Sequence, residues 1–265
     1  MVYNFTYEIR RPGLIFILCD LSDKMKIVEN QLQEAVNSLI VDYVNGCVSG
    51  NQIKNRLFIE LIGYGNGVPH IIQQGWAEEW KETLISVHTR REYIIKEHLE
   101  NETECESVWN FVKNEIDEAM EYFLNSEFYR GLCSPHIINI TNRKPTDEKK
   151  CEYYINEIKK FSYKHKNYYS GEIPKVMIST IILMDKYDNS SDILFMNREK
   201  TYNSKKIEFW KKVVSEIEID LLIGHGICWD EEFHPLSCCA IHNAKQSSLY
   251  AYFTIGSYMQ GRNYL

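Results

Sequence analysis

An unbroken apolar run, Leu14-Ile15-Phe16-Ile17-Leu18-Cys19, ends abruptly in Asp20-Leu21-Ser22-Asp23-Lys24-Met25. A run without polar alternation suits a strand buried on both faces, as in a parallel sheet covered by helices on either side. Functional groups on such sheets gather just past the carboxyl ends of the strands, where Asp20 and Ser22 fall. That one stretch sets the fold class to expect and the place to look for function.

The rest of the chain repeats the alternation. Val2 to Ile9 reads as an edge strand or ordered arm, and Pro12-Gly13 punctuate it before the first core strand. Ile27, Leu32, Ala35, Val36, Leu39, Ile40 and Tyr43 recur at helical spacing, so a helix is expected from Ile27 to Asn45, ended by Gly46. Leu57 to Ile62 is apolar except for Glu60 and reads as a second buried strand. Gly63, Gly65 and Gly67 turn it into an edge hairpin partner, Val68 to Gln73. Trp76 to Leu84 is expected as a short helix, and Ser86 to Leu99 carries no clear pattern. Thr103 to Leu124 has one apolar helical stripe. Ser134 to Thr141 and Val176 to Leu183 read as strands, with a helix from Cys151 to Phe161 between them, started by Pro145-Thr146-Asp147-Glu148. Ile207 to Ile217 is expected as a helix, Asp220 to Cys228 is ambiguous, Ala240-Ile241 is a short apolar stretch, and Leu249 to Ser257 is read as a helix. The expected architecture is a doubly wound α/β fold with a mostly parallel central sheet and helices on both faces.

No Pro/Gly/Ser-rich linker divides the 265 residues, so a single domain over 1–265 is expected, with a C-terminal extension from about 220. A net charge of -7 argues against a nucleic-acid footprint. The Lys159, Lys160, Lys164, Lys166 cluster reads as a solvated helix end. Met1 to Arg11 is too polar for a signal peptide, and the Leu14 to Cys19 run is too short to span a bilayer. The eight cysteines lack any CxxC pair, so they read as reduced thiols, and a cytoplasmic protein without membrane contact is expected.

Asp20 and Ser22 admit three chemical readings. They are oxygen ligands of a hard cation such as Mg²⁺. Alternatively, Asp20 is a phosphatase-type nucleophile at a strand end. The plain structural reading is that one of them caps the helix that follows. Elsewhere, His225, His234 and His242 near Cys228, Cys238 and Cys239 fit no zinc-ligand spacing. Gly63-x-Gly65-x-Gly67 lacks the spacing of a nucleotide loop, and the chain has neither a nucleophile elbow nor a P-loop. Tyrosine, with 18 residues, is frequent enough to suit half-buried surfaces or a partner interface.

The apolar strand followed by Asp20-x-Ser22 and a long helix resembles the opening of von Willebrand factor A (vWA) domains, whose metal-ion-dependent adhesion site begins Asp-x-Ser-x-Ser. Lys24 stands where that pattern has its second serine. Arg11-Pro12 and the strand Leu57 to Gly65 resemble the same domain, and Thr103 sits where the family's metal-site threonine opens a helix. Ile137-Ile138-Asn139-Ile140-Thr141-Asn142-Arg143-Lys144-Pro145-Thr146-Asp147 is similar to the third segment of bacterial stand-alone tellurite-resistance-type vWA proteins, in which Thr-Asp-Gly precedes Pro-Thr-Asp. Asn142 replaces the aspartate and Arg143 the glycine. The tail, Ile241-His242-Asn243-Ala244 and Phe253-Thr254-Ile255-Gly256, resembles the end of the same group.

The resemblance implies a protein-binding module without enzymatic activity that works through the loops at the carboxyl edge of the sheet. Its partner-binding face would carry Asp20, Ser22, Lys24, Thr103, Asn142 and Arg143. The metal positions it implies are Asp20, Ser22, Thr103 and Asn142. Two departures weaken that site: Lys24 removes a hydroxyl and Asn142 a carboxylate. A degenerate site is therefore expected, with no cofactor, or Mg²⁺ should the site function. The Lys24 ammonium is expected to substitute for the cation, since an ammonium about 4 Å from Asp20 is worth roughly 4 kcal/mol at an effective dielectric of about 20. By resemblance the partner is a kinase, a phosphatase or an AAA-type ATPase. The alternative is a Mg²⁺-dependent phosphohydrolase with Asp20 as nucleophile, which needs a second acid where Ser22 stands.

Overall fold

The computed structural model describes residues 7–90, 92–97, 99, 104, 106–129, 131–160, 175–184, 195–217 and 237–242. Its organising element is β1 (Gly13–Asp20), in which every residue is buried. A short 3-10 helix (Asp23–Val28) leads into α1 (Glu29–Gly46), and a small hairpin follows, β2 (Val48–Ser49) with β3 (Gln52–Ile53). Next come β4 (Leu57–Tyr64), β5 (His70–Trp76), α2 (Ala77–Arg90), α3 (Ser107–Asn125), β6 (His136–Thr141), α4 (Glu148–Lys159), β7 (Met177–Ile182), α5 (Lys205–Val213) and β8 (Ala240–His242). Six strands form one sheet in the order β5-β4-β1-β6-β7-β8. All neighbours run parallel except β5, the edge partner of β4, which is antiparallel. The fold is thus the expected α/β class, doubly wound around a mostly parallel sheet.

Strand alternation sorts the core into two layers. Ile15, Ile17 and Cys19 of β1 pack with the buried faces of α1 and α2, whereas Leu14, Phe16 and Leu18 pack with α3, α4 and α5. Burying each of the larger side chains stabilises the fold by roughly 1.5–3 kcal/mol. Trp80 locks α2 onto the sheet through its indole N–H, which donates to the Ile59 carbonyl at 3.1 Å. Low on the sheet, buried His136 lies between the Tyr43 hydroxyl of α1 (3.2 Å) and the Ser179 hydroxyl of β7 (2.7 Å). Burial drives its imidazole down to about 3, so it is neutral in the native protein.

Several element ends differ from the sequence expectation, each for a local reason. The helix expected over Trp76 to Leu84 is α2, which runs on to Arg90. Trp76 belongs to β5 instead, and its N–H donates to the Glu79 carboxylate (2.6 Å), which caps the junction. The helix expected to reach Ile217 stops at Val213, because the chain turns extended and Ser215 N–H donates to Ile178 O (2.9 Å), beside β7. By contrast, the start signal Pro145-Thr146-Asp147-Glu148 is met: α4 begins at Glu148, where the Asp147 side chain accepts the Lys150 N–H at 3.0 Å. Lys159 does not extend into solvent. It is half-buried, its ammonium donates to Val213 O (2.6 Å) and Val214 O (3.1 Å) just past the end of α5, and burial lowers its pKa to about 8. Lys164, Lys166 and the expected Leu249 to Ser257 helix lie outside the described residues. Within the stretch expected as a C-terminal extension, Ala240–His242 joins the sheet as β8. Among the described residues, no helix is long and apolar enough to cross a membrane.

Candidate functional site

The chain leaves β1 for β4 on one side, then returns through β6 on the other side. The crevice between the carboxyl ends of β1 and β6 is therefore the topological switch point, where open α/β sheets place ligands. Asp20 ends β1, Thr141 ends β6, and alternation turns Asp20 toward the layer of α3 and α4. Asp20 is fully buried.

Three groups hold its carboxylate. Ser22 N–H donates to Oδ1 (3.1 Å). Thr141 Oγ1 and Arg143 Nε donate to Oδ2, at 2.7 and 2.9 Å. Arg143 is itself only 9% exposed, so the Arg143–Asp20 ion pair is shielded from solvent. Its backbone is pinned separately: the Arg143 N–H donates to Thr141 Oγ1 (3.1 Å), and its carbonyl accepts the Trp210 indole N–H of α5 (2.8 Å). Gly65, just past the end of β4, completes the enclosure with φ +86. A Cβ there would lie 2.6 Å from Arg143 Nη2 and 2.7 Å from Asp20 Oδ1. The Ser22 hydroxyl is buried in the same corner without a hydrogen-bond partner.

The expectation for Lys24 is overturned. Its side chain is exposed on the 3-10 helix, and the cation paired with Asp20 is the guanidinium of Arg143. Lys24 instead contributes its backbone carbonyl, which accepts the Asn142 side-chain N–H at 3.0 Å. Asn142 is half-buried and faces that loop, and the Lys206 ammonium of α5 donates to its backbone carbonyl (2.9 Å). Ser22 occupies the N-cap position of the 3-10 helix but makes no side-chain cap hydrogen bond, so the capping reading fails for it. Thr103 lies outside the described residues, as do His225, Cys228 and His234. Two site residues absent from the sequence-based face are Thr141 and Gly65. Thr141 falls inside the third motif, immediately before the residues singled out there, whereas the sequence marks Gly65 only as a turn residue.

The donor set as it stands does not fit a divalent cation. Both oxygens of Asp20 already accept hydrogen bonds, one of them from a permanently charged guanidinium held where an ion would need to approach. Among the described residues, no group of three or more His, Cys, Asp or Glu side chains is placed to hold a metal.

Around this closed centre, the rim of the carboxyl edge is open. Ile27 in the 3-10 helix is 61% exposed, and Val68 in the turn between β4 and β5 is 83% exposed. Next to that turn, His70 Nε2 donates to the Glu97 carboxylate at 2.9 Å, and this hydrogen bond raises the imidazole pKa. On the other side of the crevice, the buried carboxylate of Glu106, at the start of α3, accepts the Asp147 N–H and ties α3 to the loop that follows β6.

No family model and no curated protein sequence matches the chain. Among solved structures, the chain is similar to manganese-loaded Plasmodium vivax TRAP protein, with a TM-score of 0.48 and 11% identity over 94% of this chain and 74% of that one. It is also similar to the TFIIH p34 N-terminal domain, with a TM-score of 0.44 and 9% identity over 66% of this chain and 82% of that one.

Proposed function

We propose that this chain is a protein-interaction module of the vWA kind, without enzymatic activity, that binds its partner through the carboxyl edge of the sheet and uses no bound cation. The observation that carries the reading is the contrast at this edge. Its only strand-end carboxylate among the sequence-predicted site residues is sealed against Arg143, while Ile27 and Val68 stand exposed on the rim with Lys24 beside them. A partner that covered these two apolar side chains would remove their surface from water, which favours association. The ordered vWA-like segments in the sequence point to the same edge and imply a kinase, a phosphatase or an AAA-type ATPase as the class of partner. The acidic net charge makes nucleic acid a poor fit.

The phosphohydrolase alternative requires Asp20 to reach a phosphorus atom with a free oxygen. Burial and three donors work against that. Crosslinking capture in the native host, with the intact chain as bait, tests the proposal. A partner recovered with the native chain and with Val48→Ser, on the hairpin at the opposite end of α1, is expected to be lost with Val68→Asp and Ile27→Asp. Equal recovery with all four baits would move the interface elsewhere. Turnover of a phosphate ester that disappears in Asp20→Asn would replace the reading with the hydrolase.

A further inference from the structure

The amino edge of the sheet, at the opposite end from Ile27 and Val68, carries a second exposed surface. Trp76 ends β5 beside Phe58, near the start of β4, and the two rings meet edge to face at 5.4 Å. Trp76 also stacks on Tyr129, just past α3, at 6.3 Å, and Tyr129 contacts both Phe128 (5.0 Å) and Tyr122 (6.4 Å). The inner end of this aromatic slab is half-buried, whereas Tyr122 is 65% and Phe128 51% exposed. Linked rings left open to water mark a contact surface more strongly than scattered apolar side chains do.

Two observations indicate what covers it. The chain already seats a cation of its own there: the Arg10 guanidinium lies 5.7 Å from the centroid of the Phe128 ring, within cation–π range. The surroundings are acidic as well. Glu118 lies one helical turn before Tyr122, Glu121 beside it, and Glu127 directly before Phe128, all three exposed. Among the described residues, the ion pair within α3 joins Lys113 to Asp117 and leaves these three carboxylates without a cation. Beneath the same helix, Glu60 is only 4% exposed and its Oε2 has no hydrogen-bond partner; burial, then Glu115 and Glu118, push its pKa up to about 8. Carboxylates thus crowd α3 from its covered and its open side, and that field favours a positive partner.

We propose that this face docks a basic, arginine-containing segment of another protein, its guanidinium groups stacked on the Tyr122 and Phe128 rings and paired with Glu118, Glu121 and Glu127. Arginine suits the face better than lysine, because its planar, weakly hydrated guanidinium stacks on rings while its fork meets carboxylates. Arg10 is the built-in competitor that the segment displaces from Phe128. A second copy of this chain fits less well, since two like-charged faces repel.

Fluorescence anisotropy of a labelled Gly-Arg-Ser repeat peptide, titrated with the full chain at about 0.15 M salt, tests this, with Gly-Lys-Ser and Gly-Glu-Ser peptides for comparison. The native chain is expected to bind the arginine peptide saturably, the lysine peptide more weakly and the glutamate peptide not at all. Tyr122→Ala with Phe128→Ala, which changes no charge, and Glu118→Gln with Glu121→Gln are each expected to weaken binding by roughly tenfold. Glu29→Gln with Glu34→Gln, the same loss of charge on exposed positions of α1, is expected to leave it nearly unchanged, and Arg10→Ala to strengthen it. Thermal melts check that each variant folds. No saturable binding by the native chain would overturn the inference. So would equal weakening by the two Glu→Gln pairs with no effect of the ring substitutions, which is bulk attraction to an acidic protein. Dimerisation that is lost with the ring substitutions, without peptide binding, would give the face to a second copy and overturn it too. Val68→Asp is expected to bind the peptide as the native chain does, so this inference and the proposed function can fail separately.

Discussion

Arg143 Nε lies 2.9 Å from Asp20 Oδ2 and so ties together the carboxyl ends of two adjacent parallel strands, β1 and β6. The two residues are 123 positions apart in the chain, and their pairing closes the crevice that the strand order creates. Because both are buried, the cost of taking the two charges out of water offsets much of their attraction, and each partner is hazardous without the other.

Asp20→Asn or Arg143→Leu alone is therefore expected to destabilise the chain by about 3–5 kcal/mol, since each leaves a buried charge uncompensated or nearly so. The double variant is expected to lose less than the sum of the two. Urea unfolding of the four proteins of this cycle measures the difference. Additive losses would show that the two side chains do not act as a pair.

Two turn glycines separate strain from crowding. Both Gly65 (φ +86) and Gly67 (φ +108) adopt positive φ, but only at Gly65 would a Cβ meet Arg143 and Asp20, whereas nothing lies within 4 Å at Gly67. Gly67→Ala is expected to cost about 1–2 kcal/mol from conformation alone. Gly65→Ala is expected to cost more and to weaken the Arg143–Asp20 pair. Equal melting points for the two variants would contradict the enclosure described for Gly65.

Much of this architecture is legible in the chain itself, and the reasons are local. Leu14 to Cys19 and Leu57 to Ile62 announce buried strands because parallel strands covered on both faces need apolar residues at every position. Asp20 and Ser22 were visible because they end such a run. The partner of Asp20 was not. Lys24 is near in sequence, but a 3-10 helix turns it outward, while Arg143 reaches Asp20 only through the β1–β6 pairing. Helix ends set by long-range hydrogen bonds, such as Ser215 N–H to Ile178 O, were equally hidden.

Glu60, the one carboxylate within the apolar run of β4, supplies a pH signature. Burial first, then the nearby Glu115 and Glu118 carboxylates of α3, push it from 4.5 up to about 8. The native form thus keeps a proton that the unfolded chain releases over that interval, so Glu60 makes stability fall as pH rises from 4.5 to 8. Glu60→Gln is expected to flatten this fall and to be the more stable protein at pH 9, by on the order of a few kcal/mol. Parallel denaturation curves at pH 5 and pH 9 for both proteins would contradict it.

His136 acts in the opposite direction. Its imidazole is driven from 6.5 to about 3 by burial, so the unfolded chain binds a proton below pH 6.5 that the native protein refuses. Stability is expected to fall as pH drops from 6.5 toward 3, and His136→Gln to remove part of the slope. Direct titration of the His136 ring by NMR, with an ordinary value near 6.5, would overturn the assignment.

In the function proposed above, the Arg143 guanidinium stands in place of a metal at the strand-end site, leaving the rim to bind a protein. Calorimetric titration of the native chain with Mg²⁺ and Mn²⁺ tests it most directly. The account predicts no saturable heat from either ion. One-site binding of either ion that Asp20→Asn abolishes would contradict it.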